Sequence, residues 1–564
     1  MPRLSDYLVD KISPSRLDPF GLGRLTWDFW SRMLRNPGEL MAQNIQLAAD
    51  QAKLLRYAVK KATGQRAEAV AEPDAGDKRF KDASWSEHLV FDLIKQSYLL
   101  ASRYYLNLAG AAQLDRKQQH KLEFLTRQFV DALSPANFAA SNPEVLRATI
   151  DSKGANLLQG MKNLGRDLAA GKGRLKISMV DESQFEIGRN IATTPGKVVY
   201  ENDLIQLIQY TPTTAKTYQR PLVIFPAWIN KFYILDLSPK NSFIRWAVGQ
   251  GYTVFIVSWV NPDAALSQKT FEDYLNEGVF AALEAVQAAT GERRCNAIGY
   301  CIGGTLLASA LAQMGATGDD RIASATFFTS QVDFTEAGDL MVFIDEAQLK
   351  SLEGTMKKRG YLDASDMATT FNMLRANDLI WSFVINNYLL GRSPAAFDLL
   401  YWNNDSTRMP VAMHSFYLRE MYLNNRLAEP GGITMNGVPL DLAKVKIPVF
   451  LQSSKEDHIA PYRSVYKATG LFSGPMTFML AGSGHIAGVI NPPEANKYYY
   501  YTRKDILPDV EDWIDGAEYH EGSWWPYWHQ WLSRRSGRKV PARVPGEGQL
   551  PVIEDAPGRY VSMK

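Results

Sequence analysis

Cysteine is scarce in this chain of 564 residues, which has only Cys295 and Cys301. Two thiols cannot form a disulfide framework or a structural zinc site of the cysteine type. The two cysteines lie six positions apart, and this is not the spacing of a redox motif. Whether either thiol does chemistry therefore depends on its position in the fold.

An excess of one charge and long hydrophobic runs are also missing. Lys and Arg number 62 against 60 Asp and Glu, a formal net charge of +2, which excludes a strongly basic nucleic-acid binder and an acidic tail protein. No run reaches the roughly 18 apolar residues of a membrane helix. The start, Met1 to Tyr7, lacks the apolar core of a signal peptide. We expect a cytoplasmic protein with no transmembrane segment and no nucleic-acid partner.

Length and composition favour at least two domains. The chain exceeds the roughly 100–200 residues of one domain, and its 46% hydrophobic and 22% charged residues are ordinary for globular proteins. In the first part of the chain, apolar residues recur at three- and four-residue spacing, which is the helix period. We predict a mainly helical N-terminal domain over 1–195, with helices at Glu39–Lys61, Glu87–Ala109 and Arg116–Leu133.

From residue 196 onward, short apolar runs alternate with helical stretches. This alternation is typical of a mostly parallel sheet with helices on both faces. We predict a catalytic α/β domain over 196–564, with strands at Lys197–Tyr200, Leu204–Tyr210, Pro221–Phe225, Thr253–Trp259, Asn296–Tyr300, Ala323–Phe328, Val449–Gln452 and Met476–Leu480.

A stretch with few strand signals, residues 329–445, interrupts this domain. Helical patterns occur in it at Ser365–Met373 and Leu379–Leu390. A long insertion in an α/β sheet often covers an active site, so we predict a helical cap. The alternative is a helical excursion that only packs against the core.

One strand-to-helix turn carries the strongest chemical signal. The predicted strand Asn296–Tyr300 runs into Gly-Tyr-Cys-Ile-Gly-Gly at 299–304, and a helical pattern follows. This is the nucleophile elbow of α/β hydrolases, with cysteine as the nucleophile. The glycines allow the tight turn, and the helix N-terminus favours negative charge on the Cys301 sulfur. The alternative is a buried cysteine in a glycine-rich turn.

Two later loops supply the partners that an elbow nucleophile needs. Elbow enzymes place the acid and then the base downstream, after strands that end at the same edge of the sheet. Asp457 follows one predicted strand and His485 follows the next. We predict that His485 deprotonates Cys301 and that Asp457 orients His485. The fold class is therefore predicted as an α/β-hydrolase fold with an inserted helical cap, preceded by the mainly helical domain.

Weaker candidates surround this triad. The backbone N–H groups of Ile302 and Ala227 are candidate oxyanion donors, although the loop at Ala227 also fits a packing role. His458 can help to shape the site, but structural hydrogen bonding is the preferred interpretation. Glu456 is an alternative acid, and we expect its side chain to point away. Cys295, at the start of its strand, is expected to be packed and inert.

With these motifs in place, the sequence resembles the polyhydroxyalkanoate synthases, and within them the class I, short-chain type. The match spans most of the chain and is strongest from Asn202 onward. Its motifs occur in one consistent order. They are Asp77–Phe80, Ile229–Tyr233, Val257–Asp263, Gly299–Gly304, Asn377–Trp381, Asp398–Trp402, Glu456–Ile459, Gly484–Pro493, Gly522–Trp525 and Ala556–Tyr560.

The resemblance implies an acyltransferase that joins (R)-3-hydroxyacyl-CoA units into a polyester and releases CoA. Cys301 is then the acylated nucleophile and His485 its base. Asp457 is the third member, which the family also assigns to activation of the substrate's 3-hydroxyl group; the two roles stay open here. Ile302, directly after the nucleophile, resembles the short-chain branch, so 3-hydroxybutyryl-CoA is the expected substrate.

The resemblance also sets expectations about partners. We expect the growing polyester and its granule surface, a homodimer, and neither a cofactor nor a metal ion. Arg375 is a candidate contact for CoA and Trp402 for the cap interface; packing or surface pairing is the alternative for each. A related cysteine-dependent hydrolase or thioesterase is the other enzymatic interpretation, since Gly-Tyr-Cys-x-Gly-Gly also resembles dienelactone-type hydrolases. A granule-coating protein with a relict hydrolase fold is the non-enzymatic one.

Overall fold

The computed structural model describes residues 22–564 of the chain. They form two compact units, 22–181 with 369–397 and 182–368 with 398–564. The division falls at residue 181, ahead of the domain boundary predicted at 195, and the first unit is discontinuous in sequence. Residues 1–21, which include the start inspected for a signal peptide, lie outside the described residues.

Helices make up the first unit. The three predicted helices are confirmed, and their ends differ from prediction by two residues at most. Polar side chains cap two helices of this unit. Asp115 accepts from backbone N–H groups in the first turn of Arg116–Ala132, and Asn142 does the same for Pro143–Asp151. The α-helices are Leu22–Arg35, Pro37–Ala62, Ser84–Glu87, Leu89–Gly110, Arg116–Ala132, Pro143–Asp151 and Ala155–Ala170, followed by π-helical turns at Asn377–Trp381 and Val384–Leu389.

The second π-helical turn packs closely on the helix Ala155–Ala170. Asn163 Nδ2 donates to the carbonyl of Asn387 at 2.9 Å. At Gly160, a Cβ atom would overlap the carbonyl of Tyr388. Because any side chain would prevent this backbone approach, the contact depends on glycine. It joins part of the predicted insertion to the N-terminal helices.

The second unit is built on seventeen strands: β1 Gly196–Glu201, β2 Ile205–Tyr210, β3 Lys216–Tyr218, β4 Leu222–Phe225, β5 Val254–Trp259, β6 Cys295–Tyr300, β7 Ile322–Phe328, β8 Tyr361–Leu362, β9 Met409–Pro410, β10 Thr434–Met435, β11 Val438–Pro439, β12 Val449–Ser454, β13 Met476–Ala481, β14 Tyr499–Thr502, β15 Glu518–Glu521, β16 Lys539–Pro541 and β17 Glu554–Asp555. Eleven of them form the main sheet, in the order β15-β14-β13-β12-β7-β6-β4-β5-β2-β1-β17.

This sheet is mixed rather than mostly parallel. The six strands from β13 to β5 run parallel. The strands that flank them pair antiparallel. The prediction of a mostly parallel sheet therefore holds for the centre, and the flanks are antiparallel. Short connections such as the one between β1 and β2 permit only antiparallel pairing.

The central strands are buried on both faces. In β6, Ala297 packs into one apolar layer, whereas Ile298 and Tyr300 pack into the other. In β4, Val223 and Ile224 divide between the same two layers. Strands buried on both faces carry near-continuous apolar runs. All eight predicted strands are confirmed, and six of them belong to this buried centre.

Helices cover the sheet and fill the predicted insertion between β7 and β12. Both helical patterns predicted there are found, although residues 369–397 belong to the first unit. No helix within residues 22–564 has the length and hydrophobicity that a bilayer-spanning segment needs. The remaining helical segments are Phe243–Gly249, Phe271–Asp273, Tyr274–Phe280, Ala281–Thr290, Ile302–Thr317, Glu346–Arg359, Ala364–Leu374, Asp398–Asn404, Val411–Phe416, Tyr417–Leu423, Tyr462–Tyr466, Ala468–Leu471, Val510–Asp515 and Trp525–Ser533.

Two glycines on one helix provide a matched test of the packing in the first unit. Gly160→Ala is expected to lower the free energy of unfolding by about 1–3 kcal/mol, the usual effect of overpacking, because its Cβ would meet the Tyr388 carbonyl. Among the described residues, nothing lies within 4 Å of a Cβ at Gly165. Gly165→Ala is therefore expected to stabilise by up to about 1 kcal/mol. Chemical denaturation measures both variants, and equal effects would contradict the packing assigned to Gly160.

Candidate active site

Three parallel strands deliver three reactive side chains to one edge of the sheet. Cys301 follows β6, Asp457 follows β12 and His485 follows β13. These strands run parallel within the six-stranded centre, so the loops after them open on the same edge. The three residues singled out in the sequence therefore meet in the structure.

Cys301 occupies the tight turn between β6 and the helix Ile302–Thr317. Its backbone has φ +53° and ψ −126°, a conformation that residues with a side chain rarely adopt. Its N–H donates to the Phe328 carbonyl at 2.9 Å, and its carbonyl accepts from Ser330 Oγ at 2.8 Å. The Cys301 side chain is partly exposed, whereas every residue of β6 is buried. The turn thus presents the sulfur at the edge of the sheet.

Two elbow glycines are required by close backbone approach. A Cβ at Gly299 would overlap the backbone of Gly304, and a Cβ at Gly303 would overlap the carbonyl of Pro226. The strand and helix of the elbow therefore pack backbone to backbone. The second contact also places the loop after β4, and with it Ala227, beside the first turn of the helix.

The two candidate oxyanion donors flank this contact. Ile302 is the first residue of its helix, so its N–H has no intrahelical acceptor and the helix dipole adds positive potential there. On the other side, Trp259 Nε1 donates to the Pro226 carbonyl at 2.9 Å and fixes the residue before Ala227. Backbone N–H groups held in this way suit the stabilisation of negative charge next to Cys301. Their role as donors stays a prediction.

His485 and Asp457 form a buried hydrogen-bonded pair. His485 Nδ1 lies 2.7 Å from Asp457 Oδ2, and the side chains are 10% and 0% exposed. The second carboxylate oxygen, Oδ1, accepts from the N–H groups of Ile459 at 2.8 Å and Ala460 at 2.9 Å. Both oxygens are thus engaged, which fixes the carboxylate and, through it, the imidazole ring.

The electrostatics of the site favour a protonated His485. Burial lowers its pKa, but Asp457 and the Cys301 sulfur, each a hydrogen-bond partner, together raise the pKa of His485 well above its usual value of 6.5. The site therefore stabilises a proton that His485 takes up from a neighbouring group. Tyr300 stacks on its ring, with centroids 5.9 Å apart and an interplanar angle of 23°.

Comparison with known proteins shows the family to which the chain belongs. The family model described as the N-terminus of poly-beta-hydroxybutyrate polymerase (PhaC) matches residues 76–247, and the model of the alpha/beta hydrolase fold matches residues 220–492. A poly(3-hydroxyalkanoate) polymerase of Methylorubrum extorquens is 52% identical over 533 residues, which is 94% of this chain and 88% of that protein. The chain belongs to the poly(3-hydroxyalkanoate) polymerase family.

A second polymerase agrees with this membership. A poly(3-hydroxyalkanoate) polymerase subunit PhaC of Cupriavidus necator is 40% identical and covers 98% of this chain and 97% of its own length. Among solved structures, a hydrolase from Pseudomonas aeruginosa PA01 matches with a TM-score of 0.31 and 14% identity, over 52% of this chain and 92% of that one. The polymerase is an acyltransferase, and its second unit has the α/β-hydrolase fold that the elbow predicted.

The other candidate residues differ in burial and in their partners. Cys295 is buried at the start of β6, and burial raises the pKa of its thiol to about 12. Glu456 is exposed and His458 is partly buried. Arg375 belongs to the first unit, where it is half exposed and pairs with Asp378 at 2.8 Å. No group of three His, Cys, Asp or Glu side chains within 22–564 is arranged to hold a metal ion.

Sequence reasoning missed three residues near Cys301. Ser330 follows β7, so the rule that found Asp457 also applies to it. Tyr417 and Tyr422 are buried, and burial raises the pKa of each hydroxyl, with a further contribution from the Cys301 sulfur. The two tyrosines come from the insertion, where no motif signals a functional residue.

The Asp457 carboxylate is expected to be a main cause of the raised pKa of His485. In Asp457→Asn the opposing effect of burial is no longer balanced, so the pKa of His485 should fall. Titration of ¹⁵N-labelled histidine by NMR measures it, with the signal assigned from its loss in His485→Gln. Glu456→Gln removes an exposed neighbouring carboxylate and is the control. An unchanged titration in Asp457→Asn would contradict the assignment.

Proposed function

We propose that this enzyme polymerises (R)-3-hydroxyacyl-CoA, with 3-hydroxybutyryl-CoA as the preferred substrate, and releases CoA through a covalent thioester on Cys301. The observation that carries the proposal is the partly exposed sulfur on a strained elbow, next to the buried pair of His485 and Asp457. A thiol held beside an imidazole whose partner is a fixed carboxylate is the arrangement of a nucleophilic acyltransferase.

In the first half-reaction, the thiol proton of Cys301 moves to Nε2 of His485, since Nδ1 is engaged by Asp457. The sulfur attacks the thioester carbonyl of the substrate. Negative charge then develops on the carbonyl oxygen, next to the N–H groups of Ile302 and Ala227. Collapse breaks the bond to the CoA sulfur, and His485 returns the proton to that sulfur. One thioester replaces another, so the transfer is close to thermoneutral.

In the second half-reaction, a 3-hydroxyl group attacks the thioester on Cys301. His485 takes the hydroxyl proton and then protonates the leaving sulfur of Cys301. The new bond is an oxygen ester, and the chain, longer by one unit, now ends in the CoA thioester of the unit whose hydroxyl attacked. A repeat of the first half-reaction returns this chain to Cys301 and releases CoA. A thioester is a better acyl donor than the ester that serine would form, which explains why cysteine suits this step.

For Asp457 we favour the role of orienting His485 over direct activation of the 3-hydroxyl. Its Oδ2 is used by His485, its Oδ1 receives two backbone N–H groups, and the carboxylate is fully buried. A carboxylate with both oxygens engaged has little capacity left for a substrate proton. The imidazolium that forms during the reaction is stabilised by the same charge.

The proposal of a short-chain substrate is supported by the surroundings of Cys301. Ile302, Tyr417 and Tyr422 are all buried, and the two phenol rings lie 5.4 Å apart. Bulky, rigid neighbours leave less room for a long acyl chain than small residues would. Residues of the insertion near the sulfur also help to exclude water, which would otherwise end the chain by hydrolysis.

We further propose that the enzyme works at the surface of the polyester granule that its product forms. The growing chain returns to Cys301 as a thioester in every cycle, so the protein and its water-insoluble product remain together. A homodimer stays a prediction. Contact between Arg375 and CoA is likewise a prediction, carried by the family resemblance.

The experiment that tests the function follows both products with purified enzyme. 3-Hydroxybutyryl-CoA is expected to give free CoA together with insoluble polyester, and homologous thioesters of increasing acyl length should react progressively more slowly. Free 3-hydroxy acid in place of polymer would identify a thioesterase instead. Equal rates across the length series would overturn the short-chain preference alone.

The two cysteines allow a matched comparison. Cys301→Ala is expected to abolish polymerisation and the acyl adduct that intact-protein mass spectrometry detects, because no other nucleophile occupies the elbow. Cys295→Ala should retain both, since this thiol is buried and its pKa is raised to about 12. An acyl adduct that persists in Cys301→Ala, or one that is lost in Cys295→Ala, would exclude the proposed intermediate.

A further inference from the structure

The loop that carries Ala227 has no helix or strand after Pro226. Hydrogen bonds nevertheless hold the carbonyls of Trp228, Ile229 and Lys231. A segment far away in sequence supplies one set of these bonds. Thr407 Oγ1 donates to the carbonyl of Trp228, and its N–H donates to the carbonyl of Ile229 at 3.0 Å. Trp402 Nε1 donates to the carbonyl of Lys231 at 2.7 Å.

The Lys231 side chain anchors the same loop to a second segment. Its ammonium donates to the carbonyls of Met563 at 2.8 Å and Tyr560 at 3.4 Å. Asn261, after β5, donates to the same Met563 carbonyl at 3.2 Å. Tyr560 is itself held at the other end, since its hydroxyl donates to the carbonyl of Asn202 at 2.7 Å. Residues 560–563, which we call the strap, are thus hydrogen-bonded to the loop through the side chain of Lys231.

The burial of this ammonium is costly. Lys231 is 3% exposed, and burial lowers its pKa to about 8, against the opposing effect of Asp405. Its hydrogen-bond acceptors in the described structure are backbone carbonyls, which carry no full charge to offset desolvation. Methionine, of similar length, would fill the space without this cost. Methionine, however, has no hydrogen-bond donor for the carbonyls of the strap.

From this geometry we infer that Lys231 is a positioning residue: it clamps the loop 226–231 to the strap 560–563 and so holds the Ala227 N–H in place for the oxyanion. The inference rests on the proposed function, because it assigns Ala227 an oxyanion role. Trp402 fixes the Lys231 carbonyl while the ammonium grips the strap, so the backbone cannot rotate at this point. The loop then needs no reorganisation when charge develops on the substrate.

The test separates positioning from stability. In Lys231→Met, the single-turnover rate of CoA release at saturating 3-hydroxybutyryl-CoA is expected to fall by about ten- to a hundredfold, the scale of a misplaced catalytic contact. KM should stay close to the wild-type value, and the thermal midpoint should hold or rise because a buried charge is removed. Lys231→Arg keeps the charge and the donors and should recover part of the rate. Lys240→Met, an exposed lysine nearby, is the control.

Trp402→Phe provides a second route to the same clamp. It removes the indole N–H that holds the Lys231 carbonyl and keeps most of the aromatic bulk, so it should slow acylation in the same direction without raising KM. If either folded variant acylates within about twofold of the wild type, the inference is wrong. If the wild-type enzyme itself releases no CoA under these conditions, the proposed function fails instead, and the two failures are distinct.

Discussion

The backbone conformation at Cys301 is the constraint on which the rest of the catalytic unit depends. A positive φ at a residue with a side chain costs on the order of 1–3 kcal/mol and persists only where the surroundings enforce it. Here the carbonyl of Phe328 and the hydroxyl of Ser330 hold the turn, and the backbone contact between Gly299 and Gly304 leaves no room to relax it. The position of the Cys301 sulfur is therefore fixed, and the other groups of the site must be positioned relative to it.

The other groups arrive in two different ways. Asp457 and His485 lie in the loops that follow two neighbouring parallel strands, so the register of the sheet brings these loops together. Nδ1 of His485 then lies 2.7 Å from Oδ2 of Asp457. The loop of Ala227 has no such framework. It is held by hydrogen bonds to residues 402–407 and 560–563, which are distant in sequence. The site is thus positioned by a strained backbone at Cys301, by the register of the sheet and by hydrogen bonds between segments distant in sequence.

Burial and neighbouring charges have opposite effects on the pKa of His485, and the same is true of Lys231. At His485 the carboxylate of Asp457 and the sulfur of Cys301 outweigh desolvation, and the pKa of the imidazole rises. At Lys231 desolvation prevails over the attraction of Asp405, and the pKa falls to about 8. The difference lies in contact: His485 has a direct hydrogen bond to a carboxylate, whereas Lys231 has backbone carbonyls as its hydrogen-bond acceptors.

The sequence by itself determined those features that a local residue pattern encodes. Apolar runs indicated the eight strands, helix periodicity the long N-terminal helices, and the spacing of glycines the elbow; the order of motifs then indicated Asp457 and His485. In the antiparallel flanks, β1 and β2 were indicated by their apolar runs, whereas β14, β15 and β17 escaped prediction. Strands such as β15 are short and exposed, so no buried face imposes a hydrophobic pattern.

Only the tertiary structure decided the rest. It assigned residues 369–397 to the N-terminal helices through the glycine contact at Gly160, brought Tyr417 and Tyr422 near Cys301, and gave Lys231 its acceptors in the strap. Each of these depends on partners hundreds of residues away or on the path of an irregular loop. Local propensity and periodicity carry no information about such partners, since the contacts exist only once the chain is folded.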